Sequence, residues 1–189
     1  MVKGMLFVRF LFDLNGRRVS EPVMSLCSEK KKKILVTAVA TALLLILYLF
    51  IFNFSAQDAE QSGSISKMFT EKCVEFFNSL TGGRWSRDFV EGLTAYFEHP
   101  VRKLAHFAEY ACMGVLLYII WSQWVSVRKR LCLLILLCVF VSAALDELHQ
   151  RFVPGRYASL ADVLLDTCGG VFGMLCMILA GRIYRSLSS

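Results

Sequence analysis

The sequence lacks any pairing pattern for its cysteines. It has 189 residues and seven cysteines, which is an odd number, and no C-x-x-C pair occurs. Five of the seven lie within apolar runs, where free cysteines behave as small hydrophobic residues. These five are Cys112, Cys132, Cys138, Cys168 and Cys176. The pattern therefore excludes a disulfide framework and a zinc ribbon.

Short catalytic motifs are missing as well. The chain has no H-E-x-x-H sequence, no serine nucleophile elbow, no phosphate-binding loop and no dinucleotide fingerprint. We therefore predict no cofactor. His106, His149 and nearby carboxylates could ligate Zn²⁺ or Mg²⁺, but the D-E-x-H sequence from Asp146 to His149 alone is too weak to predict a metal site.

Charged residues are scarce beside apolar ones. Only 19% of the residues are charged and 56% are apolar, and the mean hydropathy is +0.55. A soluble domain of this length is rarely so apolar, so the composition predicts a membrane protein. The net charge of +6 and the pI near 9.0 would also fit a nucleic-acid partner, and the distribution of the charges decides between the two.

Four apolar segments predict an all-α integral membrane bundle. Residues 34–54 form a run without a charge, long enough at about 1.5 Å per residue to cross a hydrocarbon core of about 30 Å. Further spans are predicted at about 104–127, 131–149 and 162–182. The first run is too long for a signal peptide, and no A-x-A cleavage pattern follows it. Residues 1–33 and 183–189 are then cytoplasmic tails, with Met24 as an alternative start.

The basic residues indicate the orientation. Residues 1–33, the turn at 128–130 and the tail after 181 together carry 13 basic and three acidic residues, a net charge of +10. The remainder carries eight basic and twelve acidic residues, a net charge of −4. By the positive-inside rule, we expect a cytoplasmic-membrane protein with both termini in the cytoplasm. The basic pI reflects this topology, so we predict no nucleic-acid partner.

The outer loop at 55–102 is long enough to hold structure of its own. Apolar residues at helical spacing between Ile65 and Leu80 predict an amphipathic helix that ends at Gly82-Gly83. A second such helix is predicted to begin at Ser86, as its N-cap, and to end at Pro100. Both have an oily face, which suits either the outer lipid interface or packing onto the top of the bundle.

Ionisable residues gather at the outer ends of the last three spans. Because the charge-free runs there are as short as 15 residues, or about 22 Å, these groups must enter the outer leaflet. Charges at that depth are expected to face the bundle interior and to meet one another. The predicted pocket comprises Lys103, His106, Glu109, Tyr110, Asp146, Glu147, His149, Gln150, Arg156, Asp162 and Asp166. The alternative is that these groups are only mutual salt-bridge partners that fix the helix register.

Local spacing supports an inward-facing pocket. Asp162 and Asp166 lie one turn apart on one helix face, and that face continues through glycines to Gly173, which would let a neighbouring helix approach closely. Pro154-Gly155 predicts a type II turn between the third and fourth spans. Ser159 is predicted to cap the fourth span rather than to act as a nucleophile.

Three motifs resemble those of the VanZ-like membrane family. They are K-x-x-H-F-x-E-Y-x-x-x-G at 103–114, D-E-x-H-Q-x-F-V-P-G-R at 146–156 and S-x-x-D-V-x-x-D-x-x-G at 159–169. F-S-x-Q at 54–57 also resembles the start of that family's outer loop, so the resemblance covers residues 54 to about 181. The family is named for a protein associated with low-level resistance to teicoplanin, a lipid-bearing glycopeptide. The resemblance implies a role in the cell envelope and no particular reaction.

Three functions are compatible with these features. The first is an accessory envelope protein whose pocket binds an amphiphile, either a membrane lipid, a lipid-linked wall precursor or a lipoglycopeptide. Here Lys103 and Arg156 would meet its anionic groups. The second is a membrane enzyme that acts on such a head group, with His106 or His149 as general acid or base. The third is a small proton-coupled transporter, although the charges occupy one leaflet rather than the midplane.

Overall fold

Five helices make up almost all of residues 23–188, the part of the chain that the computed structural model describes. They are α1 (Val23–Ser55), α2 (Ala59–Leu80), α3 (Arg87–Ser122), α4 (Arg128–Gln150) and α5 (Leu160–Ser188). No strand occurs within those residues, so the all-α prediction is confirmed. Most of the predicted N-terminal tail, residues 1–22, lies outside the described part.

Four of the helices are long and apolar enough to cross a membrane, namely α1, α3, α4 and α5. This confirms the prediction of four spans. α3 has 36 residues, and at about 1.5 Å per residue it is roughly 54 Å long, well beyond a hydrocarbon core of about 30 Å. Its first part therefore extends past the apolar layer, where α2 packs against it.

The prediction that Pro100 ends an outer-loop helix is wrong. The helix begins after Ser86, whose hydroxyl accepts a hydrogen bond from the Phe89 amide at 3.3 Å, as predicted, but it then runs through Pro100 into the second span. Proline removes one backbone hydrogen bond without preventing helical φ and ψ angles. An ion pair of 2.7 Å between Glu98 and Arg102 bridges the proline across one helical turn.

The predicted turn residues lie where the chain reverses. Gly82 and Gly83 adopt positive φ angles of 94° and 66° at the end of α2. Gly155 has φ 76° in the α4–α5 connection, and the Arg156 amide donates to the Val153 carbonyl at 3.2 Å. Positive φ angles cost glycine little, because it has no Cβ. The glycine stop and the Pro-Gly turn are both confirmed.

α2 and the first part of α3 form a helical hairpin with a narrow contact seam. Small side chains are buried along this seam: Ser66, Thr70, Val74, Val90 and Thr94. The aromatic face of α2 points away from the seam, since Phe69 and Phe76 are 59% and 61% exposed. Of the two arrangements considered for these oily faces, packing onto the bundle top is therefore not the one observed.

The core lies between α3, α4 and α5. Tyr110 and Met113 of α3 are fully buried against Ile135, Val139 and Ala143 of α4. α1 packs on α3 and α4 at the side of this core, where Tyr48 and Ser142 share a hydrogen bond. This arrangement brings the ends of α1 and α4, the beginning of α5 and the middle of α3 to one end of the bundle.

α3 and α5 pack with their backbones in direct contact. A Cβ atom added to any of three glycines would overlap a carbonyl oxygen of the other helix, so no larger residue fits. The pairs are Gly114 with Gly170, Gly173 with Ala111, and Gly169 with Phe107. We call this contact the glycine seam. It confirms the close approach expected from the small residues that follow Asp166.

Candidate functional site

The candidate residues gather at the end of the bundle where α1 and α4 finish and α5 begins, which we call the polar end. Hydrogen bonds join these elements directly. The Gln150 amide nitrogen of α4 donates to Ser55 at the end of α1 at 3.3 Å, and Arg156 of the α4–α5 connection donates to the Phe54 carbonyl at 3.2 Å. These bonds join the end of α1 to the end of α4 and to the α4–α5 connection.

Three side chains from three different helices meet at the centre of the polar end. His106 of α3, Asp146 of α4 and Asp166 of α5 each offer one nitrogen or oxygen atom, and these atoms all lie within 4.8 Å of one another. We call them the central cluster. The glycine seam brings α3 and α5 together next to this cluster, since Phe107 follows His106 and Gly169 follows Asp166 by less than one turn.

Two residues of the central cluster each have one buried polar atom without a partner. Asp166 is only 2% exposed, and its Oδ1 accepts no hydrogen bond from the described residues. The Nδ1 of His106 is also buried and unpaired, with the nearest carboxylate oxygen, Oε2 of Glu109, 3.8 Å away. Buried polar atoms are normally satisfied, so these two unpaired atoms make the cluster a candidate binding site.

Asp146 is held by a chain of hydrogen bonds that leads to the surface. Its Oδ2 accepts from the Gln150 amide at 2.9 Å, and the Gln150 carbonyl oxygen accepts from Arg156 at 3.0 Å. Such partners orient a side chain even when they do not touch a ligand themselves. Gln150 and Arg156 therefore fix Asp146 relative to the ends of α1 and α4.

Arg156 donates two hydrogen bonds within the described residues, and both acceptors are neutral oxygens: the Gln150 side-chain carbonyl and the Phe54 backbone carbonyl. Its burial, together with the nearby charge of Arg102, lowers the pKa of Arg156 from its usual value. A guanidinium nevertheless stays protonated at neutral pH, because its pKa is so high. The polar end therefore holds a positive charge that donates no hydrogen bond to a carboxylate of the described residues.

Two other carboxylates of the set are used structurally. Asp162 forms an ion pair with Lys103 between α5 and α3. Glu147, which is 5% exposed, accepts a hydrogen bond of 2.8 Å from the Ser159 amide just before α5. The Ser159 carbonyl in turn accepts from the Asp162 amide at 3.1 Å, in keeping with its predicted place at the helix start. The alternative of mutual ion pairs therefore describes part of the set.

The remaining predicted residues lie at the margin of the cluster. Tyr110 is 1% exposed and belongs to the hydrophobic core as much as to the polar end. His149 faces α1, where its ring stacks on Phe52 with 4.7 Å between ring centroids, and its buried Nε2 has no described partner. Sequence reasoning thus grouped His149 with His106, whereas the fold places it against the first span.

Sequence reasoning missed two contributions to the site. Ser55 and the Phe54 carbonyl bring the end of α1 to the polar end, and the F-S-x-Q motif at 54–57 was the available signal. Arg102 was also overlooked: it bridges Glu98 and the Ser66 hydroxyl and so ties α2 to α3 just beside the cluster. Its position next to Lys103 in the sequence gave no sign of this different role.

An apolar groove opens at the side of the bundle, below the central cluster. It has a volume of about 490 Å³ and lies between α1 on one side and α3 and α5 on the other. Its lining includes Leu43, Phe50, Ala111, Val115 and Phe172. Ala111 and Phe172 follow His106 and Asp166 by one to two helical turns, so the groove and the cluster belong to the same region of the bundle.

The chain matches a known protein family. A family model described as VanZ/LLP1 matches residues 40–181, which is well over half of the chain and includes all three motifs of the polar end. The curated proteins and the solved structures searched gave no match.

Proposed function

Because the chain belongs to the VanZ-like (VanZ/LLP1) family, we propose that it is a cell-envelope protein that binds a lipid-bearing amphiphile at the polar end. The amphiphile has an anionic head group and an acyl tail, as a membrane lipid, a lipid-linked wall precursor or a teicoplanin-type lipoglycopeptide does. Binding such a molecule is the step by which the protein would contribute to glycopeptide resistance.

The charge distribution supports a polar end at the outer face of the cytoplasmic membrane. The basic segments 30–33 and 128–130 lie at the opposite end of the bundle, where Trp124 of the α3–α4 connection donates to Thr37 of α1 at 3.1 Å. Basic segments of this kind are retained on the cytoplasmic side during insertion. The outer leaflet is where glycopeptides and translocated wall precursors are found.

The head-group site is supported chiefly by Arg156. Its hydrogen bonds to Gln150 and the Phe54 carbonyl position the guanidinium without a direct ion pair, which leaves it available to an anionic group. Guanidinium groups suit phosphate and carboxylate oxygens because their donors form a planar fork. Lys103 was the other predicted anion contact, but its ion pair with Asp162 makes it the weaker candidate.

The tail site is supported by the apolar groove. The lining between α1 and α5 is almost wholly apolar, and α1 reaches the polar end through the two hydrogen bonds at Phe54 and Ser55. A molecule whose head lies at Arg156 could therefore extend its tail between these helices. Small-molecule sites are typically apolar with a few placed polar groups, which fits this arrangement.

A matched pair of arginine variants tests the proposal. In a host made less sensitive to teicoplanin by this protein, we expect Arg156→Gln to abolish protection while the protein still accumulates in the membrane. Arg151→Gln is the control, because Arg151 lies in the same connection but is exposed. Growth inhibition by teicoplanin is the measurement, with immunoblots for accumulation. Full protection with Arg156→Gln would contradict the proposal.

A second candidate function is an enzyme that acts on the head group of such a lipid. It is favoured by His106, a largely buried imidazole within 4.8 Å of two carboxylates, which is an arrangement suited to general acid or base catalysis. Incubating the purified protein with lipid-linked wall precursors and analysing the products by mass spectrometry tests it. Conversion that is lost in His106→Gln would support catalysis, and an unchanged precursor would exclude this reaction.

A further inference from the structure

The central cluster also has the composition of a metal site, and we propose that it binds one divalent transition-metal ion, Zn²⁺ or Mn²⁺. One imidazole and two carboxylates offer three ligand atoms within 4.8 Å of one another. Ligands that share an ion at about 2.0–2.2 Å lie roughly 3–4 Å apart, so small side-chain rotations complete the arrangement. The sequence placed these residues in one pocket but gave too weak a signal to predict a metal ion there, because the ligands come from three separate helices.

The unpaired atoms are the second observation that points to a cation. Asp166 is almost completely buried, with 2% of its surface exposed, and its Oδ1 has no described hydrogen-bond partner. The Nδ1 of His106 is buried and unpaired as well. A metal ion bound in the cluster would give Asp166 the partner it lacks, whereas a water molecule would need further partners of its own in a confined place.

The charges around the cluster give the same indication. Lys103 is paired with Asp162, and Arg156, although near Asp146, is hydrogen-bonded to Gln150 rather than to a carboxylate of the cluster. Neither cation hydrogen-bonds Asp166. An uncompensated carboxylate within a membrane-spanning segment is costly, so a divalent cation between Asp146 and Asp166 supplies the missing positive charge.

The ligand set restricts which ion fits. Carboxylates alone favour Mg²⁺, Ca²⁺ or Mn²⁺, whereas an imidazole nitrogen favours Zn²⁺ and similar transition metals. The mixed set therefore suits Zn²⁺ or Mn²⁺. The hydrogen bond from Gln150 to Asp146 is the kind of outer contact that orients a metal ligand.

The site deepens the proposed function and rests on it for its ligand. Three protein ligands leave at least one coordination position open, as in zinc sites that bind water or substrate. An oxygen of an anionic head group would occupy that position, with Arg156 as its second contact. The ion and the guanidinium would then hold the same head group from two sides.

Metal content is the direct test. The full chain is purified in detergent, stripped with a chelator, reloaded with Zn²⁺ or Mn²⁺, desalted and analysed by elemental mass spectrometry. We expect a stoichiometric ion in the wild type, and loss of that ion in Asp146→Asn and Asp166→Asn. Glu98→Gln is the charge-matched control, because Glu98 is paired with Arg102 outside the cluster and should leave the metal content unchanged.

Two further measurements test the site even if an aspartate variant fails to fold. If an aspartate variant fails to fold, electron-spin resonance of Mn²⁺ in the wild type should still show coupling to an imidazole nitrogen. A wild-type protein that retains neither ion after reloading, or aspartate variants that retain as much as the wild type, would overturn the site. Co-purifying lipid is measured in the same samples: lipid without metal would overturn the metal site alone, and metal without lipid would overturn the proposed amphiphile binding alone.

Discussion

Single glycines determine how accurately the polar end is assembled. Gly114, Gly169 and Gly173 each face a backbone carbonyl of the neighbouring helix, and no side chain intervenes that could adjust. The position of Asp166 relative to His106 is therefore set by two backbones in contact. Adding even one methyl group at any of these glycines would therefore push one helix away from the other.

We predict that Gly114→Ala strongly destabilises the protein. Its new methyl group would overlap the Gly170 carbonyl, and overpacking typically costs about 1–3 kcal/mol or more. Gly92→Ala, on the exposed outer part of the same helix, has open space and should stabilise it by up to about 1 kcal/mol. Thermal unfolding of both variants in detergent measures the contrast, and equal melting temperatures would contradict the glycine seam.

For single residues, the sequence predicts which side chains are buried better than it predicts which side chains they contact. The helical spacing of Asp162, Asp166 and Gly173 was sufficient to infer that this face of α5 points inward, and Asp166 is indeed buried. The stacking of His149 on Phe52 was not predictable, because it depends on where α1 docks. Contacts within one helix follow from periodicity, whereas contacts between distant helices require the fold.

Among the elements, α3 is the one that links the membrane bundle to the hairpin that its first part forms with α2. Pro100 was expected to separate the two, yet the Glu98–Arg102 ion pair spans it, and Lys103 is anchored to Asp162 directly after it. A proline in the sequence indicates that one backbone hydrogen bond of the helix is lost, which does not by itself end the helix. Whether a helix ends there depends on the side-chain contacts on both sides, which the sequence does not list.

The α2–α3 hairpin should depend on Arg102 more than on its oily residues. Its seam is formed by small side chains, and Arg102 bridges Glu98 and Ser66 at 2.7 and 3.3 Å. We predict that Arg102→Gln loosens α2, seen as faster hydrogen–deuterium exchange in residues 62–80 with little change in α4. Arg87→Gln is the control, because the Arg87–Glu91 pair is largely exposed. Unchanged exchange in α2 would contradict this role.

For the whole molecule, the number of membrane spans and their orientation are the features that the sequence predicts most directly. The four apolar helices follow from the length of the apolar runs, and the basic segments at 30–33 and 128–130 predict which side of the membrane each end faces. The central cluster, in contrast, has no contiguous sequence signal. It exists only because α3, α4 and α5 bring one ligand each to the same place.

We predict opposite locations for the two ends of the bundle. Alkaline phosphatase inserted after Gly83, in the α2–α3 connection, should be active because it is exported, whereas the same enzyme fused after residue 189 should be inactive. Gly82 and Gly83 form an exposed turn that should tolerate the insertion. Active fusions at both positions would contradict the four-span topology.

The glycine seam also limits how this protein can change shape. Because carbonyl oxygens of one helix lie directly over glycines of the other, α3 and α5 cannot slide by a fraction of a turn without collision, so their registration is all or none. Small movements within the bundle must therefore involve helices other than the α3–α5 pair. α1 packs on α3 and α4 and reaches the polar end through hydrogen bonds at Phe54 and Ser55. α1 borders the apolar groove without taking part in the glycine seam, so a shift of α1 would widen the groove without changing the position of His106 relative to Asp166.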